Sequence, residues 1–268
     1  LKFAGGSSTP TAGSGPMRTP EGVAKMTDEN NDLIFYTNGS RVYSKDNSLV
    51  AQGLNGDTSL IQGVAILPKT TCKGCQSEYY IFTMSKNAAG ENQLYYSIYD
   101  RKLNGGRGGV SVMNQFLSPA PSADRFAVSV GGGDYFWLQT QDINSNVLRT
   151  FKVSKAGISA PTVSNTSSSA TNITASSHFS RDGKVLAIAY VSPPSNQIDI
   201  YDFDVATGNS TFRYRIPLVG SPYGVEFSAD ARIVYASVQG SSTSQIWQYS
   251  IASNDSTQMQ NSKSLLWS

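Results

Sequence analysis

Histidine is scarce in this chain, and its position limits the chemistry that the chain can perform. His178 is the only histidine, so any Ser-His-Asp or Cys-His arrangement would have to use it. It lies in the segment ASSHFS, and Glu226 takes the matching place in the later segment GVEFSA. We therefore predict that His178 occupies a spacer position on a repeated strand and is not catalytic.

The two cysteines form the motif CKGC, from Cys72 to Cys75. This spacing occurs in redox pairs, which usually open a helix, and in half-sites for zinc, which need about two further soft ligands. The segment KTTCKGCQSE reads as a loop between two strands, and His178 is the one remaining soft ligand of the sequence. We predict a local Cys72–Cys75 disulfide, with free thiols as the alternative.

Acidic residues provide a candidate metal site. In DENNDL, Asp28, Asn30 and Asp32 stand at alternate positions, as at the start of a calcium-binding loop. Gly39 and Ser40 stand where a closing bidentate glutamate is expected. The first prediction for this segment is therefore a plain β-turn. Calcium is the alternative, and no other cofactor is predicted.

Paired carboxylates, which most glycoside hydrolases require, are scarce as well. The strands expected to face a central channel offer Glu226 and, at one margin, Asp28. The glycine-rich LNGGRGGV follows one strand and leads into another, whereas a phosphate cradle needs a helix after its glycines. We predict no catalytic residues and a protein that is not an enzyme.

These residues must be positioned by many short strands joined by polar turns. Charged residues make up only 15% of the chain, and tyrosine, with 14 copies, leads the aromatics. This composition is typical of β proteins. A net charge of +2 is too small to indicate a nucleic-acid partner. The longest apolar runs, such as VLAIAYV, are too short to span a bilayer.

The sequence repeats itself near its end, where ASSHFSRDGKVLAIAY is followed by SPYGVEFSADARIVYAS. An ungapped offset of 48 residues relates Phe179 to Phe227, Asp182 to Asp230, Ile198 to Ile246, and Tyr201 to Tyr249. A period of 40 to 50 residues with about four strands per unit is typical of a propeller blade. We predict an all-β fold, a β-propeller of four-stranded antiparallel blades. A β-sandwich with a chance repeat is the alternative.

The rest of the chain divides in the same way, which gives about five blade-like units in a single domain of residues 1–268. The expected units cover residues 21–55, 60–118, 123–165, 174–219 and 221–268. Residues 1–8 are expected to supply a strand that completes the last blade and closes the ring. The alternative is that these blades belong to a larger ring. Phe179 and Phe227 are expected to be buried at equivalent positions in neighbouring blades.

The opening of the chain resembles a family of secreted β-propeller proteins from Bacteroidota with WD40-like and YVTN-like repeats. The family pattern is a FYTDG-x-x-VW hairpin, then G-D-S-S-x-x-Q before an apolar strand that ends in proline. The matching segments here are Phe35–Gly39, Val42–Tyr43, Gly56–Ser59, Gln62 and Pro68, followed by YYIFT, LYYSIYD, LNGGRGGV and SPYGVEFSADA. The 268-residue sequence shows no sorting domain after Ser268 and about a blade or two fewer than the family's full ring. We therefore expect either a fragment of such a ring or a ring that closes with fewer blades.

The resemblance implies type IX secretion, an extracellular or outer cell-surface location and a link to adhesion or gliding motility, but no established chemistry. We therefore predict a non-catalytic binding or scaffold module for a protein or a glycan at the cell surface. A propeller enzyme, such as a lactonase or glycan hydrolase, is the first alternative. The second is a lectin in which tryptophans stack on sugars; the candidates are Trp137, Trp247 and Trp267.

Overall fold

The computed structural model describes residues 14–118, 122–169, 175–192, 195–240 and 243–268, together with the backbone of residues 2–3 and 10–11. These residues form 23 β-strands and two short helices. Five antiparallel sheets and a separate two-stranded hairpin contain all the strands. No helix in the described part of the chain is long and apolar enough to cross a bilayer.

The elements follow one another along the chain with short connections. In order they are β1 (Lys2–Phe3), β2 (Pro10–Thr11), β3 (Ala24–Thr27), β4 (Leu33–Thr37), β5 (Arg41–Ser44), β6 (Leu49–Gln52), β7 (Val64–Pro68), β8 (Glu78–Lys86), β9 (Asn92–Asp100), α1 (Leu103–Gly106), β10 (Gly109–Ser118), β11 (Ala127–Val130), β12 (Tyr135–Gln141), β13 (Val147–Ser154), β14 (Gly157–Ile158), β15 (Thr162–Asn165), β16 (Ser177–Phe179), β17 (Val185–Tyr190), β18 (Gln197–Phe203), β19 (Ser210–Pro217), β20 (Ser221–Phe227), β21 (Ile233–Gln239), β22 (Ser244–Ser250), α2 (Ser256–Asn261) and β23 (Ser264–Trp267).

Each sheet is a meander, in which strands that follow each other in the chain are paired. Sheet 1 contains β3–β6, sheet 2 contains β7–β10, sheet 3 contains β11–β15, sheet 4 contains β16–β19 and sheet 5 contains β20–β23. Sheet 3 has one extra strand, because β13 pairs with the two-residue β14 at one end and with β15 at the other. The first strands of consecutive sheets contact one another, which places them around a common axis. This arrangement is a β-propeller, as predicted.

The start of the chain differs from the prediction of a ring-closing strand. Within residues 1–8 the structure describes Lys2–Phe3, and the other positions of that segment lie outside the described residues. Lys2–Phe3 pairs with Pro10–Thr11 in a separate hairpin, and sheet 5 takes its fourth strand from Ser264–Trp267. For the described residues the prediction is therefore wrong. A local hairpin closes a much shorter loop than pairing with the far end of the chain, so it costs less entropy.

Apolar side chains fill the space between consecutive sheets. The described residues form four buried clusters, one for each neighbouring pair of sheets from 1–2 to 4–5. Representative members are Phe35 and Ile81, Phe82 and Leu138, Trp137 and Leu186, and Ile200 and Val234. The blades are thus held together by face-to-face burial, as in other repeat architectures.

The 48-residue repeat is visible in the hydrogen bonds of the turns. Ser180 Oγ donates to Asp182 Oδ1 (2.6 Å) and accepts from the Val185 N–H (3.0 Å). Ser228 Oγ makes the same two bonds, at 2.6 Å to Asp230 Oδ1 and at 3.0 Å from the Ile233 N–H. The two turns are therefore copies of one structure.

The buried phenylalanines also follow the repeat. Phe179 ends β16 and Phe227 ends β20, the first strands of sheets 4 and 5. Each is 8% exposed, and each packs into the cluster shared with the preceding sheet. The prediction that they occupy equivalent buried positions is confirmed.

The two helices are short connectors. α1 lies in the LNGGRGGV segment between β9 and β10. This segment is therefore a loop between two strands that contains one short helical turn. α2 is capped by Asp255, whose Oδ1 accepts from the N–H groups of Thr257 (2.8 Å) and Gln258 (3.2 Å). Neither helix is preceded by the glycine-rich loop that a phosphate cradle requires.

Candidate functional site in the central channel

A cavity of about 290 Å³ lies where the first strands of sheets 1 to 4 converge. Ten of its fourteen lining residues are apolar, and most of these lie on the four strands; examples are Val64, Ile66, Ala127 and Val128. Its polar side chains are Lys25, Gln62, Ser177 and His178. An apolar wall with a few polar groups is the usual composition of a small-ligand pocket.

Gln62 ties the edge of sheet 2 to the first strand of sheet 4. Its Oε1 accepts from the Ser177 N–H (2.8 Å), and its Nε2 donates to the Ser177 carbonyl oxygen (3.2 Å). These two backbone contacts fix which end of the amide is oxygen and which is nitrogen. Gln62 is thereby held with its Nε2 against the ring of His178 (2.8 Å).

This contact determines the tautomer of His178. An amide nitrogen can only donate, so the imidazole Nε2 must accept and the proton must lie on Nδ1. His178 Nδ1 faces Glu226 Oε2 at 3.3 Å, which is an acceptor for that proton. The neutral ring thus has a matching partner on both nitrogens, since Gln62 donates to one and Glu226 accepts from the other.

The His178–Glu226 pair is open to solvent. The side chain of His178 is 38% exposed and that of Glu226 is 62% exposed. Glu226 Oε1 also accepts from the Phe227 N–H (2.8 Å), which holds the carboxylate beside its own strand. His178 and Glu226, which the sequence matches across the repeat, are therefore neighbours in space on the first strands of sheets 4 and 5.

The arrangement lacks the partners that covalent catalysis requires. A nucleophilic hydroxyl or thiol would have to lie within hydrogen-bond reach of the imidazole nitrogen that acts as base. In the described residues, the ring nitrogens of His178 contact Gln62 and Glu226. The same residues contain no group of three or more His, Cys, Asp or Glu side chains placed to hold a metal ion.

The calcium candidates form a tight turn. Asp28 Oδ1 accepts from the N–H groups of Asn30 (2.9 Å) and Asp32 (3.0 Å), and Asn31 adopts a positive φ of 62°. These bonds account for the spacing of Asp28, Asn30 and Asp32 as a turn between β3 and β4. Calcium at these three residues stays a prediction that no described contact supports.

Asp28 and Asp32 border a second cleft, of about 660 Å³, which shares no lining residue with the channel cavity. Acidic and basic side chains face it together: Asp28, Asp32, Asp46, Lys45, Arg101 and Arg107. Hydrogen bonds, first from Ser44 Oγ, lower the pKa of Asp46. Burial raises the pKa of Tyr99 in the wall to about 12. The mixed charges favour no single class of ligand.

The predicted disulfide is present, with Cys72 and Cys75 joined at 2.08 Å. Asp134 of sheet 3 holds this loop by accepting from the Thr71 N–H (2.6 Å) and from Thr70 Oγ1 (3.1 Å). Hydrogen bonds, first from the Thr71 side chain, lower the pKa of Asp134. The hydrogen bonds to Asp134 therefore connect this loop of sheet 2 to sheet 3 at the protein surface. Formation of the disulfide in the native compartment stays a prediction.

The three tryptophans have different surroundings. Trp137 is 3% exposed, and its Nε1 donates to the Val205 carbonyl oxygen (2.9 Å). Trp247 packs against the cluster between sheets 4 and 5, with the Lys263 ammonium 4.0 Å from its ring centroid. Trp267 is 59% exposed. Among them, Trp267 has the open ring face that stacking on a sugar would need.

Sequence reasoning missed the contact between Gln62 and His178. The two residues are 116 positions apart and come from different blades. Gln62 stands out in the sequence only as the glutamine before an apolar strand in the family pattern. The repeat gave no hint of the pair, because it relates residues of equivalent blades and not residues that meet across the channel.

Neither a protein-family model nor a curated protein sequence matches this chain. Solved structures do match. A candidate 6-phosphogluconolactonase from Bacteroides uniformis ATCC 8492 is 16% identical, with 87% of this chain and 70% of that chain covered and a TM-score of 0.52. Two glucose dehydrogenase structures are 9% and 10% identical, cover 93% and 92% of this chain and 86% of theirs, and give TM-scores of 0.56 and 0.53. These similarities show the β-propeller fold alone.

Proposed function

We propose that this chain is a non-catalytic β-propeller that acts as a binding or scaffold module for a protein or a glycan. The observation that carries the proposal is the closed hydrogen-bonding of the single histidine. Gln62 occupies one ring nitrogen of His178 and Glu226 the other. Among the described residues, the group best suited to general-base chemistry at neutral pH therefore has no nucleophile hydrogen-bonded to it.

The loops support recognition on a rigid scaffold. Loops that vary in length and are rich in small polar residues are common recognition elements when packed blades position them. The connection between β17 and β18 has six residues and that between β21 and β22 has four, and both are rich in small polar residues and in Pro or Gly. An extracellular or cell-surface location, type IX secretion and a part in adhesion or gliding belong to the same proposal and rest on the sequence resemblance described above.

A propeller enzyme is the second candidate. The observation in its favour is that the solvent-open His178–Glu226 pair lies beside the channel cavity, where a small lactone or sugar ring could enter. Such an enzyme would have to use the imidazole or the carboxylate directly, because the described residues that line the cavity include no other acid–base pair.

One pair of assays separates the two candidates. The wild type, the double variant His178→Ala with Glu226→Gln, and the exposed-site control Glu91→Gln are tested for hydrolysis of lactones and glycosides and for binding on a glycan array. The proposal expects no turnover by any of the three, and any glycan binding should be equal in wild type and control. Turnover by wild type and control that disappears in the double variant would overturn it.

A further inference from the structure

Sheets 4 and 5 differ in how their back faces are covered. We use "back face" for the side of a sheet turned toward the following sheet, and "front face" for the opposite side. On the back face of sheet 4, the residues that sheet 5 covers are 0–7% exposed: Val185, Ala187, Ala189, Ile198 and Ile200. Their equivalents 48 positions later form the back face of sheet 5: Ile233, Tyr235, Ser237, Ile246 and Gln248.

The two back faces have the same strand register. Ala189 pairs with Ile198 and Ser237 with Ile246, so the equivalence holds in three dimensions and not only in the sequence. On the fourth strands, Ile216 pairs with Ile198, and Trp267 pairs with Ile246. Ile198 and Ile216 are both 0% exposed, whereas Ile246 is 38% and Trp267 is 59% exposed. The back face of sheet 5 is therefore the counterpart of a core surface, but on it Ile246 and Trp267 are exposed and its other named residues are half-buried.

Sheet 1 of the same chain does not provide that cover. None of the four apolar clusters in the described residues spans sheets 5 and 1. The described link between them is polar, from Tyr223 Oη to Glu21 Oε2 at 2.6 Å. The front face of sheet 1 carries the exposed cations Lys25 and Arg41 beside the stacked rings of Tyr36 and Tyr43. The first two strands of sheet 5 instead present apolar residues on their front face, such as Val225 and Val234.

The interior of the molecule shows what fits a back face. In each of the four filled interfaces, the back face of one sheet meets the front face of the next, and the two faces form a single apolar cluster. The front face that covers sheet 4 presents Phe227, Val225, Val234, Ala236 and Val238. An occupant of the same kind would continue this series without introducing a new type of contact.

We propose that the back face of sheet 5 is a docking surface for a sixth four-stranded sheet of the same repeat. Its occupant presents a front face with a phenylalanine at the position of Phe227 and aliphatic residues at the positions of Val225 and Val234. It packs on Ile246 and Trp267 as sheet 5 packs on Ile198 and Ile216. A second copy of the five-sheet unit fits less well, because its front face would bring Lys25 and Arg41 against an apolar surface.

The test supplies such a sheet. A second copy of residues 219–268 is appended after Ser268, and side-chain exposure is measured by hydroxyl-radical footprinting. In the control, the residues of the appended copy that correspond to Val225, Phe227 and Val234 are replaced by lysine. Cover should reduce Trp267 of the first copy from 59% exposed to the 0–8% of the buried core, a slowing of labelling of about sevenfold or more. Equal labelling of Trp267 in both proteins would overturn the proposal.

A second measurement decides the matter if the appended copy does not fold. The 268-residue chain and its Ile246→Lys variant are compared by sedimentation velocity over a range of concentrations. The proposal expects both to sediment as monomers, since the occupant is another sheet and not another copy. A concentration-dependent dimer of the wild type that Ile246→Lys dissociates would show that a second copy covers this face, and would overturn the proposal.

Discussion

Sheets 4 and 5 share a strand register and a set of turn hydrogen bonds, and they differ in the cover of one face. Sheet 4 lies between sheets 3 and 5, and all six residues of its strand β17 are buried. In the equivalent strand β21 of sheet 5, buried residues alternate with half-buried ones. The same backbone therefore serves as a fully enclosed blade in one case and as a blade with one open face in the other.

The residues themselves reflect this difference. Ala187 and Ala189 on the back face of sheet 4 are replaced by Tyr235 and Ser237 on that of sheet 5. A strand covered on both sides tends toward a continuous apolar run, whereas a strand with one wetter face alternates. Sheet 5 still keeps Ile246 at the position of Ile198. Its back face is thus intermediate between a core face and a solvent face, which is typical of an interaction surface.

The largest effects are expected where the two sheets are alike. Phe179→Ala and Phe227→Ala should each lower the free energy of unfolding by about 3–5 kcal/mol, because each removes a buried ring from the cluster with the preceding sheet. Urea denaturation of both variants measures the loss. A large loss for one and a negligible loss for the other would show that the front faces are not equivalent.

A smaller and unequal effect is expected where the sheets differ. Ile198→Ala should cost about 2–5 kcal/mol, since it leaves a cavity between sheets 4 and 5. Ile246→Ala at the equivalent position should cost less than about 1 kcal/mol, because its side chain is already 38% exposed. The two variants are controls for each other in the same denaturation experiment. Equal losses would mean that Ile246 is covered in solution.

The last comparison concerns the repeated turn, where a single substitution should give a small gain in stability. Gly183 has a φ of +72° and its equivalent Ala231 a φ of +57°, a region that disfavours a Cβ atom. Ala231→Gly should therefore raise the free energy of unfolding by about 0.5–1 kcal/mol. The reverse change, Gly183→Ala, should lower it by about 1–3 kcal/mol, since its Cβ would also lie 2.5 Å from Ser129 Oγ. Thermal unfolding of both variants checks the signs, and a gain from Gly183→Ala would contradict the account.

Much of the fold could be predicted from the sequence, because the repeat conveys it directly. The offset that links Phe179 to Phe227 identifies the strands, their order and the shared turn. The start of the chain could not be predicted in this way, since pairing of two-residue strands depends on local loop closure and leaves no periodic pattern. The repeat also does not predict which face of a sheet is buried by a neighbouring sheet, because it describes the strands of one blade and not the packing between blades.

The candidate site was less accessible to sequence reasoning. The scarcity of His, Cys and paired carboxylates singled out His178 and Glu226, which the sequence places at equivalent positions of neighbouring blades. The contact of Gln62 with His178 depends on how the segment before β7 lies against β16, which is a matter of tertiary packing. The spacing of Asp28, Asn30 and Asp32 has two readings in sequence, and the hydrogen bonds of the turn favour the plain turn.

Hydroxyl-radical footprinting of the unmodified 268-residue chain tests most directly whether sheet 5 has one covered and one open face. Two pairs of identical residue types provide internal references: Trp267 at 59% exposed against Trp137 at 3%, and Ile246 at 38% against Ile198 at 0%. The account predicts rapid labelling of Trp267 and Ile246, and slow labelling of Trp137 and Ile198. Labelling of Trp267 and Ile246 as slow as that of their buried counterparts would contradict it.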